Sequence, residues 1–130
     1  MKRILVADDL KDVAESIRDM LEGFYDVEIV ESGREVLQRC RKNYYDGLII
    51  DVHFRNGGVD GLYTAEALRK TNKEIRILLF SAHDLSSPSV QRLLAIGATF
   101  RLKPLHLDDV RNVMEGATYG QIAISNHGGR

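Results

Sequence analysis

Residues 3–9 read Arg3-Ile4-Leu5-Val6-Ala7-Asp8-Asp9, and residues 48–51 read Leu48-Ile49-Ile50-Asp51. Each is an apolar run that ends abruptly in acid. A run without polar interruption is what a strand buried on both faces requires, and such strands belong to parallel sheets covered by helices. Three further runs repeat the texture at Val27–Val30, Ile75–Phe80 and, more weakly, Thr99–Leu102. Between them the apolar residues fall at helical spacing. Val13, Ile17, Met20, Leu21 and Phe24 make one stripe of an amphipathic helix. Val36, Leu37 and Cys40 make a second, after a Ser32-x-x-Glu35 capping box. Leu62, Ala65 and Leu68 suggest a third. Val90, Leu93 and Leu94 suggest a fourth, opened by Ser87-Pro88 as cap and first residue and closed by Gly97. Leu107, Val110, Val113 and Met114 suggest a fifth, with Asp108 and Asp109 suited to the positive end of its dipole. Five βα units follow one another. The expected architecture is an α/β fold, a three-layer α/β/α sandwich around a five-stranded parallel sheet.

The remaining composition is that of one ordinary globular domain. The chain has 130 residues, with 18 Lys and Arg against 19 Asp and Glu for a net charge of −1. A chain so close to neutral has no global field to draw it onto nucleic acid or an acidic membrane. The apolar runs are far too short to span a bilayer, and the N-terminus has no signal-peptide pattern. The single Cys40 makes no intrachain disulfide, so a reducing, cytoplasmic setting is expected. A domain is expected over residues 1–116. Residues 117–130 carry three glycines and no helical stripe, and are expected to be a partly disordered tail or linker.

In doubly wound sheets, ligands bind beyond the carboxyl ends of the strands. Those ends here are Asp8-Asp9, Asp51, Ser81-Ala82 and Lys103-Pro104. Clustered carboxylates raise one another's pKa unless a cation neutralises them. Hard oxygen ligands suit Mg²⁺ (or Mn²⁺), whose shell is often completed by a phosphate oxygen. An aspartate beside such an ion, with an ammonium and a hydroxyl in reach, is equipped to form an aspartyl-phosphate.

These marks, in this order, resemble the receiver domain of two-component response regulators over about residues 1–116. The gaps of 30 residues from Asp51 to Ser81 and 22 from Ser81 to Lys103 are similar to the family's. The resemblance implies a flavodoxin-like strand order of 2-1-3-4-5. It implies that Asp51 accepts a phosphoryl group from a sensor histidine kinase or phosphotransfer protein. Asp8, Asp9, Asp51 and the backbone carbonyl of His53 would hold the metal. Lys103 would pair with the acids and then with phosphoryl oxygens, the Lys103–Pro104 bond being cis, and Ser81 would swing toward the phosphoryl group. Phe100 stands where the family has its aromatic switch. The readout surface would be the fourth helix, fifth strand and fifth helix, contacting an unknown output partner, with a homodimer left open. Such a protein is a switch, not an enzyme, beyond catalysing its own phosphorylation and dephosphorylation.

Each mark has a plainer alternative. Asp8-Asp9 would serve as a helix N-cap, Lys103 as a surface lysine, Ser81 as a turn residue and Phe100 as packing. His53 and His83 read as loop residues, since two imidazoles without a third partner make a poor Zn²⁺ site. Cys40 reads as core, and Tyr44-Tyr45 as cover for the sheet edge. The sequence departs from the family in its loop from Val52 to Gly61. Arg55 takes the place of a proline, the loop is about two residues longer, and Gly57-Gly58 loosens it. The competing activity is a Mg²⁺-dependent phosphohydrolase of haloacid-dehalogenase type, but that chemistry wants a second acid two residues after the nucleophile, and here that residue is His53. A dinucleotide-binding module would want Gly-x-Gly-x-x-Gly after the first strand, where carboxylates stand instead.

Overall fold

The computed structural model describes residues 1–54 and 60–116. The proposed tail at 117–130 and most of the lengthened loop lie outside the described residues. Five strands and five helices alternate: β1 (Arg3–Ala7), α1 (Lys11–Leu21), β2 (Asp26–Val30), α2 (Gly33–Lys42), β3 (Gly47–Asp51), α3 (Gly61–Thr71), β4 (Arg76–Ser81), α4 (Ser87–Ala95), β5 (Thr99–Leu102) and α5 (Leu107–Glu115). All strand pairs are parallel, in the order β2-β1-β3-β4-β5. The expected sandwich and strand order are what the chain forms.

Strand alternation divides the core in two. Leu5, Leu48, Ile50, Ile77, Leu79 and Phe100 face α2, α3 and α4, meeting Val36, Leu62, Leu68 and Leu93. Ile4, Val6, Ile49, Leu78 and Phe80 face α1 and α5, meeting Ala14, Ile17, Leu21, Val110 and Met114. Each of the larger side chains contributes about 1.5–3 kcal/mol on burial, so the acid-ended runs are held firmly in the sheet centre. That centre fixes where β1 and β3 stop.

Helix ends follow local chemistry, with small differences from the sequence pattern. α1 stops at Leu21, and Gly23 takes φ of 88°, so Phe24 leaves the stripe. It lies 48% exposed under the Arg111 guanidinium. The cap of α4 is Ser86, whose hydroxyl accepts from the Ser89 N–H, so Ser87 and Pro88 already lie inside the helix. Gly97, at φ of 67°, ends α4 as expected, its N–H bonding the Leu94 carbonyl while Ala98 bonds that of Leu93. Leu94 points outward, 44% exposed. Of the two tyrosines before β3, only Tyr45 is buried, its hydroxyl donating to Glu28 at 2.7 Å, while Tyr44 is 63% exposed. Cys40 is half-buried against the α2–α3–α4 side of the core.

Candidate functional site

Asp8 follows β1 directly and is fully buried. Its Oδ1 accepts the Leu10 N–H at 2.8 Å, and Leu10, not either aspartate, occupies the N-cap of α1. Among the described residues Asp8 Oδ2 has no hydrogen-bond donor, although it is buried. Asp51 closes β3, also buried, and its Oδ1 accepts the His53 N–H at 3.4 Å. Carboxylate oxygens of Asp8, Asp9 and Asp51 lie within 4.8 Å of one another. The register explains the meeting: β1 and β3 are adjacent and in phase, Ala7 opposite Ile50, so the next residue of each falls at the same edge.

Lys103 comes from the far side of the sheet. Its Nζ stands 3.7 Å from Asp51 Oδ2 and 5.1 Å from the centre of the Phe80 ring. Its backbone N–H bonds the Ser81 carbonyl at 2.8 Å, and the Lys103–Pro104 peptide bond is cis. Ser81 is buried at the end of β4, and its Oγ accepts the His83 N–H at 3.2 Å. Phe100 is 1% exposed and packs on the α2–α3–α4 side of the sheet, beside Leu79 in register. His53 and His83 are exposed, and neither joins the acidic group. On the outer face, Arg101 Nε of β5 reaches Asp109 Oδ1 of α5 at 3.4 Å.

The electrostatics are strained in one direction. Burial pushes the Asp8 carboxyl above the usual carboxylate range; Asp51 and Asp9 push the same way, against the Leu10 N–H and Lys103. Burial likewise raises Asp51, opposed chiefly by Lys103. Three carboxylates gather beside Lys103, and Asp8 Oδ2 is buried with no donor among the described residues. That donor set fits a hard divalent cation, which would neutralise the acids and take the orphaned oxygen as a ligand.

Sequence reasoning passed over one residue at this site and two sets of contacts that hold α3 and α4 in place. Phe80 forms the floor under Lys103, beside its register partner Asp51. Arg69, buried in α3, donates to the carbonyls of Ile96 (2.7 Å), Ile75 (2.7 Å) and Asn72 (3.2 Å), tying the ends of α3 and α4 to the start of β4. Glu66 of α3 receives both Nε (2.9 Å) and Nη2 (2.6 Å) of Arg92 from α4. Only Arg69 breaks a sequence rule, as a charge on the buried face of a helix.

Comparison with known proteins places these features in context. A family model described as the response regulator receiver domain matches residues 4–115. The response regulator MprA of Mycolicibacterium vanbaalenii is 35% identical over 109 residues, which are 83% of this chain and 46% of that protein. The transcriptional regulatory protein ZraR of Escherichia coli is 29% identical over 115 residues, 88% of this chain and 26% of that protein. This chain therefore spans from about a quarter to under half the length of these relatives. Among solved structures, the chemotaxis response regulator CheY4 of Vibrio cholerae superposes with a TM-score of 0.76 at 27% identity, covering 87% of this chain and 98% of that one. The response regulator TrrA of Thermotoga maritima, in complex with Mg²⁺ and a beryllium fluoride, gives 0.73 at 30% identity, covering 86% and 95%.

Proposed function

This chain belongs to the response-regulator receiver family, and on that premise we propose that it is a phosphorylation-controlled switch whose acceptor is Asp51. Receiver domains are signalling switches rather than classical enzymes. The observation that carries the reading is the convergence of Asp8, Asp9 and Asp51 within 4.8 Å, with Lys103 Nζ 3.7 Å from the Asp51 carboxylate. A sensor histidine kinase or a phosphotransfer protein supplies the phosphoryl group as phosphohistidine. An Asp51 carboxylate oxygen bonds to phosphorus, the N–P bond breaks, and the imidazole nitrogen leaves with the electron pair.

Asp8, Asp9 and Asp51, with the His53 backbone carbonyl, would hold Mg²⁺ (or Mn²⁺), which supplies charge neutralisation to the acids and to the transferred group. Lys103 keeps a positive charge beside Asp51 and is available to phosphoryl oxygens once the acceptor is modified. Ser81 Oγ holds the His83 N–H in the free state and has its own proton to donate to a phosphoryl oxygen. The added charge biases the arrangement of Ser81 and Phe100, and through them the outer face of α4, β5 and α5, where an output partner would bind. Coupling of about 1–3 kcal/mol between site and partner is typical of such devices. The domain also catalyses its own phosphorylation from small phosphodonors, and its own dephosphorylation.

The phosphohydrolase alternative draws no support, because the position two residues after Asp51 is the exposed His53 and the relatives named above are regulators. Incubation with acetyl phosphate and Mg²⁺ should add one acid-stable, base-labile phosphoryl group, observed by intact mass, and Asp51→Asn should abolish it. An adduct that survives that substitution, or none on the unmodified chain, overturns the reading.

A further inference from the structure

Gly61 opens α3, and its backbone lies directly on the end of β3. A Cβ built at that position would stand 1.9 Å from the Asp51 carbonyl oxygen, 2.8 Å from the Asp51 carbonyl carbon and 3.1 Å from Val52 Cα. The contact is bonded as well as close: the Gly61 N–H donates to the Val52 carbonyl at 2.8 Å. From the opposite side the Val52 N–H donates to the Phe80 carbonyl of β4 at 2.9 Å. The backbone that carries Asp51 and leads to His53 is therefore gripped between β4 and the first residue of α3. Asp60 secures that first turn by accepting the Tyr63 N–H at 2.8 Å, and Arg69 and Glu66 anchor the same helix further along.

We propose that Gly61 is a positioning residue for the acceptor site: by lacking a side chain it lets α3 clamp the Asp51–Val52 backbone, and so sets where the Asp51 carboxylate meets the metal and the phosphodonor. The inference rests on the reading of Asp51 as acceptor. It does not depend on backbone strain, since Gly61 opens a regular helix behind an extended cap. The reason is steric. A Cβ and an oxygen do not approach within 3.0 Å, so any side chain must drive the two backbones apart by about 1.1 Å. Neither partner is a flexible side chain that could yield. Misplacement by about 1 Å is enough to slow a positioned reaction by about 100-fold, and loss of support around a metal ligand weakens binding by about 10- to 100-fold.

Gly47, at the other end of β3, supplies the control. A Cβ there would meet Met114 Cε and Sδ, both at 2.3 Å, which are the far end of a flexible side chain remote from the acids. Gly61→Ala and Gly47→Ala thus both crowd the fold around one strand, and only the first touches the site. The three proteins are compared below their unfolding temperatures for Mg²⁺ affinity by calorimetric titration and for the rate of modification by acetyl phosphate. G61A should lose about 10-fold or more in affinity and about 100-fold in rate, while G47A stays within about twofold of the parent. A G61A protein that matches G47A in both overturns the proposal. A parent chain that neither binds Mg²⁺ nor takes the phosphoryl group overturns the functional reading instead. The unmodified protein gives a second measure that needs no variant. Exchange of the Gly61 amide proton should slow several-fold when Mg²⁺ and beryllofluoride load the site, with the Gly47 amide unchanged. Equal behaviour of the two amides also refutes the clamp.

Discussion

Consider Asp8→Asn in protein stripped of divalent cations at about pH 7.5. The substitution keeps the shape of the side chain and its Oδ1 acceptor, so the 2.8 Å bond from the Leu10 N–H survives. It places an amide where Oδ2 now lies buried without a donor, and it removes one of three clustered charges. Unit charges 4.8 Å apart, the outer limit of this cluster, repel by roughly 3.5 kcal/mol at an effective dielectric near 20. Lys103 offsets part of that repulsion. The variant should therefore be more stable than the parent by about 1–3 kcal/mol, raising Tm by roughly 5–10 °C for a domain of this size.

The pH dependence has a definite sign. Burial raises the Asp8 carboxyl above its ordinary value of 3.8. A group raised on folding contributes stability that is present below the unfolded value and lost as pH climbs through the folded one. The parent should thus weaken from about pH 4 upward in the absence of metal, and the advantage of Asp8→Asn should shrink to nothing as the pH falls back toward 3.8. On the proposed role of Asp8 as a metal ligand, saturating Mg²⁺ should reverse the ranking, because the parent would gain RT ln(1 + [L]/Kd) and the variant less. Thermal unfolding in chelator and in Mg²⁺, each across pH 4 to 8, reads all of this. A variant no more stable than the parent in chelator at pH 7.5 would refute the reasoning, as would an advantage unaffected by Mg²⁺.

Two further outcomes test the framework around the site. Burial pushes the Cys40 thiol up to about 11, against an ordinary thiol near 8.5–9. Alkylation by iodoacetamide at pH 8 should therefore run about 100-fold slower than for an unfolded control, rising with pH through that value; a reaction rate equal to the control's sinks this account. Arg69→Ala should lower stability by about 3 kcal/mol or more in denaturant unfolding, because three carbonyls lose a charged donor. By contrast Arg92→Ala, which breaks an exposed pair, should change it by no more than about 1 kcal/mol. Equal effects would show that the buried clamp carries no special weight.

The strand-end residues were legible because their placement is a matter of topology. Once β1 and β3 are buried neighbours in a parallel sheet, counting along each run brings Asp8 and Asp51 to one edge. No side-chain detail is needed. The same holds for Ser81, which stands opposite Leu102 in register and so one step from Lys103. Helix boundaries were read less well, since a period alone does not say where a stripe ends. Phe24 and Leu94 have the right spacing and the wrong exposure, the first because Gly23 turns the chain away from α1 and the second because α4 buries only a narrow face around Leu93.

What stayed hidden were contacts set by three-dimensional closeness between elements. Phe80 reads in the sequence as one more apolar strand residue, and only the approach of Lys103 makes it the floor of a charged pocket. Gly61 reads in the sequence only as the end of the Val52–Gly61 loop; the distance to Asp51 alone reveals that a methyl group has no room there. Arg69 is the instructive exception. A guanidinium at a buried helical position is costly unless its donors find acceptors, so its place beside Leu68 in the third stripe was itself a signal that backbone carbonyls from other elements must converge on it. Patterns of polarity thus disclose where a chain must bring groups together, while the reasons a position must stay small emerge only when the neighbours are in place.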